Sequence, residues 1–300
     1  MGRLKAYACL PLTKEQKNLV HVDFTKNKGE ADIVIGNPKL DEIEEFHPIF
    51  VQLESAGYEK YEGKFDCIVA NASGAFGLGI SEYVIFSVLM LKRHMKKYIG
   101  FQNKHEWNRF GDHIGSIYGD TVLILGTGDL GSNIAKRMKA MGAYTIGFRR
   151  NVKEVDGFDE VHSIKELDMY ISNADMLISC IPDNNESRYL LSKDDFKKMK
   201  SNLIFVNVGR GSLVHIHELE EVMEEGLIQG MVLDVVENEP LSKESILWDM
   251  ENVIITPHIS GTFELDKAFE LFIDFSFENV NDFFCEKTLK NIVFNIICYI

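Results

Sequence analysis

What this chain lacks narrows its class before any motif is read. Lys and Arg number 32 against 46 Asp and Glu, a formal charge of −14. Without a surplus of cations it has no electrostatic footprint for a nucleic acid, so that partner is excluded. An anionic small molecule must then be met by cations placed one at a time. No apolar run approaches the roughly 18 residues a membrane helix needs, and no membrane association is expected. The first residues, Met1 to Leu10, lack an apolar h-region followed by a small-residue cleavage site, so a cytoplasmic protein is expected.

Cysteine is sparse. Cys9, Cys67, Cys180, Cys285 and Cys298 include no Cys-x-x-Cys pair, and three of them sit beside isoleucine in apolar runs. They read as reduced core thiols, not a disulfide frame or a zinc site. No metal cluster, internal repeat or low-complexity stretch stands out.

What is present is ordinary for a soluble globular chain: 300 residues, 45% apolar and 26% charged, enough for two domains with a substantial core. Short apolar runs at Ala31–Ile35, Phe50–Leu53 and Cys67–Ala70, with a short helix at Leu40–Phe46, give a βαβ rhythm and a small parallel sheet. Helical spacing predicts a helix over Ile80–Lys97 that buries Val84, Phe86, Val88, Leu89 and Leu91, with Lys92, Arg93, Lys96 and Lys97 near its C-terminal dipole. Residues 99–119 read as a long connection. Strand-like runs recur at 176–181, 203–208, 230–235 and 253–256, with helices over 186–200, 215–226 and 262–285, and the tail 289–294 is apolar again. The fold class is therefore α/β. The expected division is residues 1–95 with 280–300 as one domain and 96–279 as the other.

One stretch organises the second domain. Thr121-Val-Leu-Ile-Leu125 enters Gly126-Thr127-Gly128-Asp129-Leu130-Gly131, after which Ile134, Met138 and Met141 recur at helical spacing. This is strand, tight turn, helix: the first glycine makes the turn, the second lets a pyrophosphate approach the backbone, and the third lets helix and strand pack closely. The helix N-terminus then points free N–H groups at the phosphates. The next strand, Tyr144–Phe148, ends in Arg149-Arg150 where an NAD-binding chain usually carries an acid for the ribose. Two guanidiniums can fork onto a 2′-phosphate, which favours NADP(H), with NAD(H) as the lesser alternative and a solvated basic pair still open.

Three further stretches follow in order: Phe205-Val-Asn-Val208-Gly209-Arg210-Gly-Ser-Leu-Val214, Asp234-Val-Val-Glu-Asn-Glu239-Pro-Leu241 and Asn252-Val-Ile-Ile-Thr-Pro-His258-Ile-Ser-Gly261. With the glycine turn, and over nearly the whole chain, they resemble the D-2-hydroxyacid dehydrogenase family. The resemblance implies two doubly wound parallel-sheet domains, a Rossmann domain for the dinucleotide and a smaller flavodoxin-like one for the substrate.

It also implies roles. Arg210 matches the substrate-anchoring arginine, whose planar fork suits a 2-oxo carboxylate. His258 matches the general acid/base, as suits a side chain that titrates near working pH. Glu239 matches the acid that orients it, and Asp234 the strand-end aspartate beside the nicotinamide carboxamide. Cys180, Ile181 and Pro182 resemble the loop over the adenosine, and Val208, Gly209 and Gly261 fall at cofactor-contacting positions. Ala56 and Gly57 resemble a substrate-carboxylate loop of backbone N–H groups, although Tyr58-Glu59 replaces the family's usual Val-Asp and Tyr58 is expected to shape the substrate pocket. Asn71, Gly74 and Glu82 match a recurrent pattern of structural role.

The expected activity is thus hydride transfer between NADP(H) and a short 2-oxo acid such as glyoxylate, hydroxypyruvate or a longer homologue. A homodimer joined through 99–119 is implied. The alternative is a dinucleotide-sensing interaction protein on the same fold.

Overall fold

The computed structural model describes residues 3–109, 111, 113–285 and 287–294; Cys298 lies outside them. In chain order the strands are β1 (Lys5–Ala8), β2 (Asp23–Phe24), β3 (Ile33–Ile35), β4 (Phe50–Gln52), β5 (Ile68–Ala70), β6 (Thr121–Leu125), β7 (Tyr144–Arg149), β8 (Glu160–Ser163), β9 (Met176–Ser179), β10 (Ile204–Asn207), β11 (Gly230–Leu233), β12 (Val253–Ile255) and β13 (Ile292–Phe294). The α-helices are α1 (Lys14–Lys17), α2 (Gly77–Lys92), α3 (Met95–Asn103), α4 (Asp129–Ala140), α5 (Lys193–Phe196), α6 (Ile216–Glu224) and α7 (Asp266–Phe284).

Two compact units form, one from residues 1–76 with 263–300 and one from 77–262. In the first, the sheet order is β2-β1-β3-β4-β5-β13. The strands are parallel except β13, which runs antiparallel along β5. This is the flavodoxin-like doubly wound order with an added edge strand. In the second, the order is β12-β11-β10-β9-β6-β7-β8, parallel throughout. The strand order reverses between β6 and β9, as in a Rossmann sheet. Strands β9, β10 and β11 are buried on both faces, which is why they read as continuous apolar runs with no alternation.

The unit boundaries fall elsewhere than the expected 95 and 280, for packing reasons. Helix α2 packs on α4, and its first N–H, Gly77, donates to Asp129 at 3.0 Å. It therefore joins the dinucleotide-type unit. Helix α7 buries Phe272, Ile273, Phe277 and Val280 in the first unit. There the buried amide of Asn279 donates to the buried Gln52 Oε1 at 2.9 Å and to the Lys290 carbonyl.

Other expectations need correction. The helix expected over 80–97 stops at Lys92, because His94 adopts a left-handed φ of 52° before α3 begins; α3 in turn occupies the start of the expected 99–119 connection. Phe86 is 61% exposed, since it lies on the opposite face from the buried Val84, Val88 and Leu91. Lys92 is buried and pairs with Asp120 at 2.6 Å, so it is not a solvated end charge. Only Lys193–Phe196 of the expected 186–200 helix forms. Before it, the Asn184 side chain accepts from the N–H groups of Glu186 and Ser187, a local bond that competes with helix. Met141 is exposed, and so are Cys9 and Cys285, leaving only Cys67 fully buried among the described thiols.

Candidate active site

The glycine turn has the shape its spacing demands. Gly126 sits at φ +97°. A Cβ on Gly131 would fall 1.9 Å from the Gly126 carbonyl oxygen, while one on Gly128 would meet nothing within 4 Å. The third glycine is thus fixed by close packing, and the second leaves open space above the turn. Gly128 is the N-cap of α4 and offers no side-chain cap, so the first helical N–H groups face outward. The Thr127 hydroxyl is buried and makes no hydrogen bond. Orphan donors and an uncovered backbone fit a pyrophosphate. Leu130 is half-buried. Asp129, expected at the cofactor, instead turns its carboxylate to the Gly77 N–H and to the Asn133 amide, each at 3.0 Å.

The two arginines after β7 part company. Arg149 holds its Nε buried with no hydrogen-bond partner. Arg150 is exposed and pairs with Glu186 at 2.8 Å. A fork made by both onto one phosphate is not what the side chains form here; Arg149 is the one left with an unused donor.

The loops that follow β9, β10 and β11 stand side by side. A Cβ on Gly209 would be 2.7 Å from the Ile181 carbonyl oxygen, and one on Gly211 would be 1.9 Å from the Val236 carbonyl carbon. Only glycine lets these backbones touch. Cys180 packs beneath the turn, its Sγ 3.2 Å from the Leu125 carbonyl, and burial pushes its thiol up to about 12. It is a neutral wall residue. Pro182 accepts from Ser187, and Val208 is buried, its N–H bonded to the Ser179 carbonyl.

Arg210 follows from this crowding. The buried Asn207 accepts from the Gly209 N–H and donates to the Arg210 carbonyl at 2.9 Å, which folds the loop back on itself. The guanidinium Nη1 donates to the Gly209 carbonyl at 2.8 Å. The Asp234 carboxylate is engaged elsewhere.

Asp234, 2% exposed, accepts from the Thr256 hydroxyl at 2.6 Å, the Ile259 N–H at 2.9 Å and the Ser260 N–H at 3.0 Å. Its own carbonyl accepts from the His258 N–H. It is expected beside a carboxamide; what it visibly does is hold the loop after β12. That loop places His258 at a left-handed φ of 57°, with Nδ1 3.1 Å from Glu239 Oε2. The other Glu239 oxygen takes the Val236 N–H at 3.4 Å. Gly261 lies partly exposed just beyond.

Arg210, Glu239 and His258 therefore stand on adjoining loops at the carboxyl ends of parallel strands, where open α/β sheets bind ligands.

Sequence reasoning missed several supports. Glu237 accepts from Tyr189 Oη, His215 Nδ1 and the Ile216 N–H, all within 3.0 Å, tying the Glu239 loop to the start of α6. Burial alone would raise its carboxyl, but these bonds hold it below the usual range. Asn207 lay inside a quoted motif; Tyr83, which bonds Thr256, carried no signal at all.

In the first unit, the carbonyls of Ala56 and Gly57 accept from Asn71 Nδ2 and Ser55 Oγ, each at 2.6 Å. The N–H groups of Ala56, Gly57 and Tyr58 have no acceptor among the described residues, as an anion nest requires. The Tyr58 ring packs edge-on against Phe294 at 5.4 Å.

The family model for the NAD binding domain of D-isomer specific 2-hydroxyacid dehydrogenases matches residues 85–260. A glyoxylate reductase of Pyrococcus furiosus is 31% identical over 208 residues, covering 67% of this chain and 62% of its own. A D-3-phosphoglycerate dehydrogenase of Methanocaldococcus jannaschii is 32% identical over 206 residues, 67% of this chain and 38% of its own. The chain thus spans about half the length of such curated relatives. Among solved structures, a D-isomer specific 2-hydroxyacid dehydrogenase family protein from Aeromonas salmonicida superposes with a TM-score of 0.82 at 26% identity, covering 98% of this chain and 99% of that one. An NADPH-dependent glyoxylate/hydroxypyruvate reductase from Sinorhizobium meliloti, in complex with NADP and sulfate, gives 0.82 at 22% identity over 97% and 98%, a likeness of fold alone.

Proposed function

Because the chain belongs to the D-isomer specific 2-hydroxyacid dehydrogenase family, we propose that it is an oxidoreductase moving a hydride between NADP(H) and a short 2-oxo or 2-hydroxy acid. The observation that carries this reading is the His258–Glu239 pair at 3.1 Å, on a loop pinned by Asp234 and beside the loop that bears Arg210. A sensor protein needs a dinucleotide site but no such proton-transfer pair.

The glycine turn, the α4 N-terminus, Thr127 and Arg149 would hold the dinucleotide, whose nicotinamide supplies or accepts the hydride when bound. Arg210 takes the substrate carboxylate and orients the 2-oxo group. With Nδ1 engaged by Glu239, Nε2 is the His258 nitrogen left to exchange a proton. In reduction it gives that proton to the carbonyl oxygen as hydride arrives at carbon; in oxidation it takes the hydroxyl proton back. Glu239 fixes the ring's orientation, and Asp234 keeps the ring's loop in place. In the first unit, the Ala56–Tyr58 amides could by themselves hold an anion.

NADP(H) is preferred because the buried Nε of Arg149 lacks a partner and no acid stands in its place; the Sinorhizobium meliloti reductase was solved with NADP. Glyoxylate is the substrate named for the Pyrococcus furiosus relative and, with hydroxypyruvate and longer 2-oxo acids, is the class to try first. No described helix is long and apolar enough to cross a membrane, and a cytoplasmic location is our reading. Homodimerisation is part of the same reading: no residue of α3 is buried, and Trp107 is fully exposed beside a hollow of about 770 Å³.

The deciding experiment is an activity matrix of 2-oxo acids against NADPH and NADH. Turnover with one short 2-oxo acid and NADPH is expected. Tight NADPH binding with no turnover on any acid would overturn the enzyme reading in favour of the sensor.

A further inference from the structure

The second unit contains a chain of hydrogen bonds that neither the motifs nor the proposed chemistry requires. It starts on α2, which packs along α4 and makes two further polar contacts. The Gly77 N–H at its first residue is held by the Asp129 carboxylate of the glycine turn. A Cβ on Gly77 would lie 2.5 Å from Asn133 Nδ2 and 2.7 Å from both Asp129 oxygens, so a larger residue would have to push those two side-chain ends aside. Further along, α2 carries Tyr83, whose hydroxyl lies 2.6 Å from Thr256 Oγ1.

The direction of the chain follows from proton counting. Thr256 has one hydroxyl proton, and it goes to Asp234 Oδ1 at 2.6 Å. The bond to Tyr83 must therefore be donated by Tyr83, and burial, which raises its hydroxyl above the usual tyrosine range, keeps that donor protonated. Asp234 in turn accepts the Ile259 and Ser260 N–H groups and, through its carbonyl, the His258 N–H. These are the bonds that hold His258 in a left-handed conformation a non-glycine residue adopts only when its surroundings impose it. Bonds in such a series polarise and strengthen one another.

We propose that Tyr83 is a positioning residue for His258, acting through Thr256 and Asp234 from a helix that Asp129 fixes against the glycine turn. This rests on the reading of His258 as acid/base only for its consequence in turnover; the loop geometry it asserts stands apart from that.

The test uses the full-length protein with Tyr83→Phe, Thr256→Val, Thr256→Ser and the Tyr83→Phe/Thr256→Val pair, read by amide hydrogen exchange and by kinetics. Tyr83→Phe should speed exchange at Ile259 and Ser260 about threefold to tenfold, the scale of one net hydrogen bond, with β7 unchanged. Thr256→Val should do the same or more, Thr256→Ser should restore most of the loss, and the double variant should add little to Thr256→Val, because both act in one series. In turnover, kcat should fall by a similar factor with KM for NADPH unchanged. Unaltered exchange at Ile259 and Ser260 in Tyr83→Phe, or strictly additive losses in the double variant, would overturn the proposal. A wild type that turns over no 2-oxo acid would overturn the enzymatic reading while leaving the exchange result to decide this one.

Discussion

Nδ1 of His258 lies 3.1 Å from Oε2 of Glu239, across two loops that leave the paired strands β11 and β12 and that Asp234 ties together, binding the backbone of one while belonging to the other. The arrangement commits one ring nitrogen to the carboxylate and leaves Nε2 for substrate. Replacing His258 with Gln keeps a side chain of similar size that cannot relay a proton. Turnover should fall about 10²–10⁴-fold, the usual span for loss of a general acid/base. NADPH affinity, followed by fluorescence titration, should stay within a factor of two or so. Persistent turnover would remove His258 from the chemistry.

In the proposed reaction Arg210 takes the substrate's carboxylate as a planar fork. Arg210→Lys keeps the charge but loses the paired donors, so a misplaced substrate should cost about 10²-fold in kcat/KM, mostly through KM for the 2-oxo acid. An unchanged KM would show that the carboxylate is held elsewhere.

Arg149 and Arg150 should separate in a cofactor comparison. Arg149, with its buried unpaired Nε, is the one positioned to gain a charged partner; Arg150 already has Glu186. Arg149→Ser should weaken NADPH about tenfold to a hundredfold, the scale of one charge-assisted bond, and leave NADH nearly untouched. Arg150→Ser should do little to either. Equal losses for both cofactors would refute a 2′-phosphate contact at Arg149.

Much of this was legible because the chemistry is local. Gly126, Gly128 and Gly131 announce their turn by spacing, and strands buried on both faces, such as β10, announce themselves as unbroken apolar runs. Arg210, Glu239 and His258 were readable from their motifs, each of which sits directly after a strand. What the sequence concealed depends on contacts far apart in the chain. Phe86 differs from Val84 only in which way a helix face turns, and α7 joins the first unit through its buried Phe272, Ile273, Phe277 and Val280 together with the Asn279–Gln52 amide pair. The Asp129 carboxylate also holds the start of α2, and no pattern could have tied Tyr83 to Thr256 across 173 positions.

The acid limit of stability can be assigned in part to Asp175, just before β9. Its carboxylate accepts the Thr121 N–H at 2.9 Å and the Lys200 ammonium at 2.8 Å, so it stitches the starts of β6 and β9 to the segment before β10. Burial alone would raise its carboxyl, but the Lys200 and Thr121 bonds outweigh that and hold it below its ordinary 3.8. A folded-state pKa below the unfolded one adds stability that is complete above pH 3.8 and is lost as pH falls through the folded value. Asp175→Asn removes both the charge and that dependence. The variant should be less stable near neutrality by about 1–3 kcal/mol, a drop in Tm of about 2–4 °C per kcal/mol for a chain of this size. The gap between wild type and variant should begin to close below pH 3.8 and vanish only below the lower folded-state value, where the wild-type carboxyl is protonated too. Thermal melts in a pH series check this, and a gap that stays constant into acid would show that the charge on Asp175 contributes nothing and that only its shape matters.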